Sequence, residues 1–362
     1  MINTDRLVDT FLELVRIDSP SGQEETIGKY LAQRLQGLGL TTGRDELGNL
    51  IGRLEEGTGE TLLLSAHMDT VGTDTGIEPV IRDGVIYSSG DTILGGDDKS
   101  GVAAILEVLT LLKEKGLAHP PLEVVFSVGE ELGLYGARNL DTKILSAKQG
   151  LIMDSGGPTG HIVVCAPGQD SLVFTVHGVT AHAGAEPEKG INAIRVASEA
   201  IAAMPMGRID TETTCNIGII SGGTARNIVP ASTRVVGEAR SRDPKKLKAL
   251  TEEIVLSFQQ AAENHDASVE MEITRAYDAY RVPENTPIVQ IVSQAARELG
   301  HEVMLSDSGG GTDGNIYNAA GIQCIVLSTG MKEVHTANEH IAIADMAAGT
   351  ALLLEAVTRL AS

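Results

Sequence analysis

The residues of this chain with the most chemistry to offer stand at the ends of apolar runs. Leu62-Leu63-Leu64 reads as a buried strand that leads into His67 and Asp69. Side chains alternate along a strand, so these two point to the same side. LEVVFSVGEE ends in Glu130 and Glu131, LIMDSGG contains Asp154, and CIVLSTGMKEVH reaches His335. The loop LLGGDDKSG carries Asp97 and Asp98 into a helix. Open α/β sheets gather their ligands at the carboxyl ends of strands. If these strands share a sheet, two histidines and several carboxylates crowd one rim. That many carboxylates repel one another unless a cation lies between them. Imidazole nitrogen and carboxylate oxygen suit zinc, manganese or cobalt. His67, Asp97, Glu131, Asp154 and His335 are therefore candidate metal ligands. The set holds no cysteine, which weighs against a structural zinc. One carboxylate bridging two ions would make a two-metal hydrolase. Taken singly, each residue also reads as a surface or cap residue. The case rests on five such segments carrying the same chemistry.

Glu130 directly precedes the candidate ligand Glu131 and points elsewhere. A free carboxylate beside a metal centre can act as general base. Asp69 could hold the His67 imidazole in its metal-binding tautomer. His340 is an alternative ligand to His335. His182, in VTAHAGAEPEKGINA, could donate to a developing oxyanion. Arg226-Asn227 and Arg240 lie in the same region, and the guanidinium of Arg240 suits a substrate carboxylate. The run SGGGTDGN lacks the Lys-Ser/Thr of a phosphate loop. It reads as a wall of bare backbone, with Gly309 to Gly311 letting substrate approach. His119 and His301 read as solvated turns, and His161, His177 and His265 as structural.

The elements that must position these groups follow from periodicity. Residues 4–17 form an amphipathic helix burying Leu7, Phe11, Leu12 and Val15. Ser21 and Glu24 have capping-box spacing before a helix over 24–38. VIRDGVIYS is a hairpin turning at Asp83-Gly84. Residues 101–116 form a helix stopped by Gly116. After Asp154 the texture changes. DSLVFTVHGV alternates like a half-buried antiparallel strand. It is followed by a helix, two strands, a long helix opened by Pro244, and a closing strand. This β-α-β-β-α-β order is a ferredoxin-like unit. The domains are accordingly 1–168, an inserted 169–278, and 279–362, which resumes α/β texture. Two domains also suit 362 residues.

The net charge of −21 argues against nucleic acid as a partner. No apolar run reaches the roughly 18 residues of a membrane span. The N-terminus carries acids within its apolar pattern and lacks a basic start, so a helix is expected there rather than a signal peptide. Cytoplasm is the expected compartment. Cys165, Cys215 and Cys324 have no metal-like spacing and read as reduced core thiols.

HMDT, GGDDKSG, GEE, MDSGG, GGTDGN and HTANEH, in that order, resemble the peptidase T branch of the dizinc exopeptidases. That family includes glutamate carboxypeptidase and succinyl-diaminopimelate desuccinylase. The likeness spans nearly the whole chain. It implies a mixed-sheet catalytic domain with an inserted lid and dimerisation domain, and release of the N-terminal residue of tripeptides. Carboxypeptidase or N-acyl-amino-acid deacylase activity is the alternative on the same scaffold. The resemblance implies two divalent ions, zinc first, with cobalt or manganese possible. His67 and Asp154 would each hold one side of the pair, Asp97 would bridge, and Glu131 and His335 would hold the second ion. Glu130 would be the general base and Asp69 would orient His67. His182 would assist the oxyanion and Arg240 would hold the substrate carboxylate. Asn227 and Gly311 are further candidates, from their own residue types, for contact with a short peptide. The resemblance also implies a cis bond between Asp97 and Asp98. A homodimer through an exposed strand edge of the inserted domain is expected, since such edges invite pairing. Glutamyl aminopeptidase-type relatives insert their lid between the first His and the bridging Asp. Here only 30 residues separate His67 from Asp97, and the insertion follows Asp154.

Overall fold

The structure, a computed structural model, describes residues 1–361. In chain order the elements are α1 (Thr4–Val15), α2 (Glu25–Leu38), β1 (Thr41–Arg44), β2 (Leu50–Leu54), β3 (Leu62–His67), β4 (Pro79–Arg82), β5 (Val85–Ser88), α3 (Gly96–Lys115), β6 (Leu122–Ser127), α4 (Tyr135–Asn139), β7 (Gln149–Ser155) and β8 (His161–Ala166). Then come β9 (Gly168–His177), α5 (Ala193–Ala203), β10 (Gly207–Arg208), β11 (Thr213–Gly222), β12 (Ser232–Ser241), α6 (Pro244–Glu263) and β13 (Ser268–Tyr277). The chain closes with β14 (Tyr280–Arg281), α7 (Pro287–Glu298), β15 (Met304–Asp307), α8 (Asp313–Ala319), β16 (Gln323–Ser328), β17 (Met331–Lys332), β18 (His340–Ala342) and α9 (Ile343–Arg359). Two compact units result. One comprises Met1–Cys165, Arg281–Ser308 and the described residues from Thr312 onward; the other comprises Ala166–Tyr280 with Gly309–Gly311.

The first unit is built on a large mixed sheet that runs β1, β2, β6, β3, β7, β16, β8, with β15 beside β8. Its centre is parallel: β3 pairs in parallel with β6 and β7, and β7 with β16. Every residue of β3 and β6 is buried, as strands with both faces covered must be. A second, antiparallel sheet runs β17, β18, β5, β4. Its β4–β5 hairpin turns at Asp83 and Gly84, both at positive φ (50° and 76°), as a type I′ turn requires. Sequence reasoning passed over β1, β8, β15, β17 and β18. Most are short, and HIVVCA in β8 is a continuous apolar run without the alternation that marks a half-buried strand.

The second unit has the ferredoxin-like order. Its sheet is antiparallel throughout and runs β10, β11, β12, β9, β13. In β9, inward residues alternate strictly with half-exposed ones, and α5 and α6 cover the inward face. Phe174 of β9 and Phe258 of α6 stack with ring centroids 3.8 Å apart. β10 pairs only with Thr214 and Cys215 of β11. The edge of β11 from Asn216 to Gly222 therefore has no strand beside it among the described residues, and Ile219 and Ile220 on it are 58% and 50% exposed. No helix among the described residues is long and apolar enough to cross a membrane. The three cysteines are buried.

Candidate active site

Because β3, β6, β7 and β16 are parallel, their carboxyl ends open onto one rim of the first unit. His67 ends β3 and Asp154 lies one residue from the end of β7. Glu130 and Glu131 follow β6 in a 3-10 turn, Glu130–Leu132. His335 lies beyond β16, between β17 and β18, with φ at 63°. Asp97 comes from the first turn of α3, where the backbone of Asp97 and Asp98 departs from helical angles. The bond between them is cis, as the resemblance implies. The motif glycine Gly101 lets α3 press on β7: a Cβ there would stand 2.2 Å from the carbonyl oxygen of Met153.

Two donor groups form around Asp97. The ligand atoms of His67, Asp97 and Asp154 lie within 4.8 Å of one another, and so do those of Asp97, Glu131 and His335. Asp97 turns one oxygen to each group. Its Oδ1 is 3.0 Å from Nε2 of His67, and its Oδ2 is 3.3 Å from Nε2 of His335. Glu131 Oε1 is 2.9 Å from the same His335 nitrogen. It is nevertheless buried without the alignment of a hydrogen bond. A third group, His67, Glu130 and Glu131, is equally compact. His340 belongs to none of these groups. Its Nδ1 is 2.8 Å from the Asn338 carbonyl and its ring stacks on Tyr87.

The field at this rim is strongly negative. Burial, together with the charges of Asp97 and Asp98, raises the Asp154 carboxyl well above its ordinary range. Burial raises Glu130 likewise, with Asp154, Asp313 and Asp97 adding to it. Asp97 and then Glu131 push the His335 imidazole up to about 10. Burial opposes charge on His67, but Asp69 and Asp97 outweigh it and raise its pKa. Carboxylates that hold protons on imidazoles this firmly favour a cation among them. The residues present thus fit a pair of divalent ions.

Behind the rim, Asp69 is fully buried. His67 Nδ1 faces it, 3.0 Å from its backbone oxygen and 3.3 Å from Oδ1. A proton on Nδ1 satisfies both acceptors and leaves Nε2 as the ligand atom. The same carboxylate accepts from the backbone N–H of Glu130 (3.0 Å) and of Glu131 (3.2 Å), and from Ser21 Oγ (2.6 Å). Ser21 is therefore not the cap of α2. That helix begins at Glu25 without a side-chain cap. Glu24 instead accepts from the N–H groups of Gly22 and Gly129, each at 2.9 Å. Buried carboxylates across the chain outcompeted a local capping box.

Sequence reasoning missed several groups here. Glu339 is 2% exposed and accepts from the backbone N–H groups of Leu94, Gly95 and Asp97 at 2.8–2.9 Å. Asp313 is buried, accepts from Ser127 Oγ, and leaves Oδ1 without a donor. Burial pushes its carboxyl up to about 6. Lys99 is wholly buried, donates from Nζ to the Ile17 carbonyl at 2.8 Å, and is pushed down to about 8 by burial. HTANEH and GGTDGN hold the two acids in plain view. No local pattern says where their oxygens go.

The remaining candidates lie in the second unit. His182 is exposed, and its Nδ1 accepts from the N–H groups of Gly184 and Ala185, each at 3.1 Å. That fixes its proton on Nε2, free to donate outward. The backbone oxygen of the neighbouring Asn227 accepts from Ala183 N–H at 3.0 Å. Arg240 on β12 pairs with Glu238 at 2.9 Å. Gly311 packs under Tyr277, whose ring would stand 2.5 Å from a Cβ at that position. Its missing side chain thus serves packing inside this unit. The Gly-rich run also leads straight into α8, capped by Thr312 and Asn315, where a bare loop was expected.

Residues 63–359 match the model of peptidase family M20/M25/M40. The uncharacterised protein YqjE of Bacillus subtilis (strain 168) is 41% identical over 96% of each chain. The crystal structure of aminopeptidase PepT from Bacillus cereus superposes with a TM-score of 0.90 at 39% identity, covering all of both chains. That of a tripeptidase from Staphylococcus aureus gives 0.95 at 38% identity, covering 100% of this chain and 99% of that one.

Proposed function

This chain belongs to peptidase family M20/M25/M40 and is an exopeptidase; from that premise we propose that it releases the N-terminal residue of tripeptides at a two-ion centre. One observation carries the proposal: Asp97 divides its two oxygens between two donor groups, while Glu130 stands beside them with a raised pKa. His67 and Asp154 would hold one ion, Glu131 and His335 the other, and Asp97 both. Divalent ions there, zinc first among them, would polarise the scissile carbonyl and make water a better nucleophile at neutral pH. Glu130 takes a proton from the attacking water and returns it to the departing amine. A buried carboxylate of raised pKa suits both halves of that transfer. Asp69 holds the backbone of Glu130 and Glu131 and the tautomer of His67. Nε2–H of His182 is the donor assigned to the oxyanion. Arg240 is assigned to the peptide carboxylate, with Asn227 and Gly311 beside it in that role. The likeness to an aminopeptidase and a tripeptidase, each near 40% identity, supports the amino-terminal choice.

The test is a free tripeptide against its N-acetylated form, with products read by mass spectrometry. Release of the first residue from the free peptide alone is expected. Cleavage of the blocked peptide, or release from the carboxyl end, would move the chain to carboxypeptidase or deacylase activity.

We also infer a homodimer through the open β11 edge, since an uncharged, unpaired edge invites a second strand. Light scattering should give the dimer mass for the wild type and the monomer mass for Ile219→Lys. A monomeric wild type would end this inference.

A further inference from the structure

The buried carboxylate of Glu339 joins two loops that sequence places 242 residues apart. On one side is the segment that starts α3. Its Leu94 and Gly95 N–H groups donate to Oε2 of Glu339 at 2.9 and 2.8 Å, and Asp97 N–H donates to Oε1 at 2.9 Å. On the other side is the loop that carries His335, four residues before Glu339. These amides stand before the regular part of α3, where Asp97 and Asp98 depart from helical angles, so the helix gives them no acceptor. A carboxylate from elsewhere in the chain supplies one. It fits closely: a Cβ on Gly96 would stand 3.1 Å from Oε1. All three donors are backbone N–H groups, so both oxygens must be acceptors.

We propose that Glu339 is a positioning residue for the metal centre, fixing the backbone of Asp97 and coupling it to the loop of His335. The inference rests on the two-ion reading above. Asp97 is the one residue common to both donor groups, so displacing its backbone weakens both. An isosteric glutamine cannot substitute. Its NH₂ must face either the Asp97 N–H or the Leu94 and Gly95 pair, donor against donor. An aspartate keeps two acceptors but is one methylene short. The expected order of ion affinity is therefore wild type, then Glu339→Asp, then Glu339→Gln.

The experiment loads chelator-stripped full-length protein with Zn²⁺ or Mn²⁺ alone and follows binding by calorimetry. The melting temperature of each stripped protein is recorded alongside. Loss of a group that holds a ligand in place weakens ion binding by roughly 10- to 100-fold, and that loss is expected for Glu339→Gln. A smaller loss is expected for Glu339→Asp, which keeps the measurement available if the glutamine variant does not fold. Folded variants that bind as the wild type does, whatever their melting temperature, would overturn the inference and leave Glu339 a staple of the fold. A wild type that binds no ion would overturn the two-ion reading, and this inference with it.

Discussion

Glu130→Ala is expected to keep its fold and its ions while kcat falls by about 10²- to 10⁴-fold, the usual worth of a positioned general base. The expectation follows from where Glu130 stands. Its backbone is held by Asp69, so removing the side chain leaves the turn and the neighbouring Glu131 in place. It also lies outside both donor groups that share Asp97. Its carboxyl is raised by burial first and then by Asp154, Asp313 and Asp97. The checks are steady-state kinetics with metal analysis of the same preparation. A variant that turns over near the wild-type rate, or one that loses an ion, removes Glu130 from the role of base.

Asp97→Ala is expected to abolish activity and weaken the binding of both ions, with metal content falling from about two ions per chain to less than one. Among the described residues no other serves both groups, and without it His67 and Asp154, or Glu131 and His335, are left as two ligand residues each, one short of the three that a catalytic zinc site keeps. The contrast is Asp154→Ala, which strips only one group and should leave the other ion bound. The backbone of Asp97 remains anchored by Glu339 in the variant, so metal loss would not reflect a collapsed loop. Retention of about two ions by Asp97→Ala would refute the bridging assignment.

What could be read from sequence, and what could not, divides by the reach of the interaction. The strand that ends in His67 is an apolar run with a period-two exit, and the Asp83-Gly84 hairpin is set by a dipeptide that favours a two-residue turn. The inserted unit announces itself through the change from continuous apolar runs to the alternation of β9. Each signal is local. The carboxylate of Glu339 reaching Asp97, Ser21 reaching Asp69 and Glu24 reaching Gly129 are contacts between distant segments. In sequence, Ser21 and Glu24 form a respectable capping box, and only the competing backbone donors at residue 129 and the carboxylate at residue 69 decide otherwise. The glycines at 309–311 show the same limit from another side. Missing bulk was legible, but the neighbour that uses it at Gly311 is Tyr277.

The central claim is that two ions flank Asp97, and anomalous diffraction from crystals loaded with Zn²⁺ tests it most directly. The account predicts two peaks: one among His67, Asp97 and Asp154, the other among Asp97, Glu131 and His335, with Glu130 touching neither. A single peak, or one ligated by His67, Glu130 and Glu131, would contradict it, because the residue assigned to move the proton would then be a ligand.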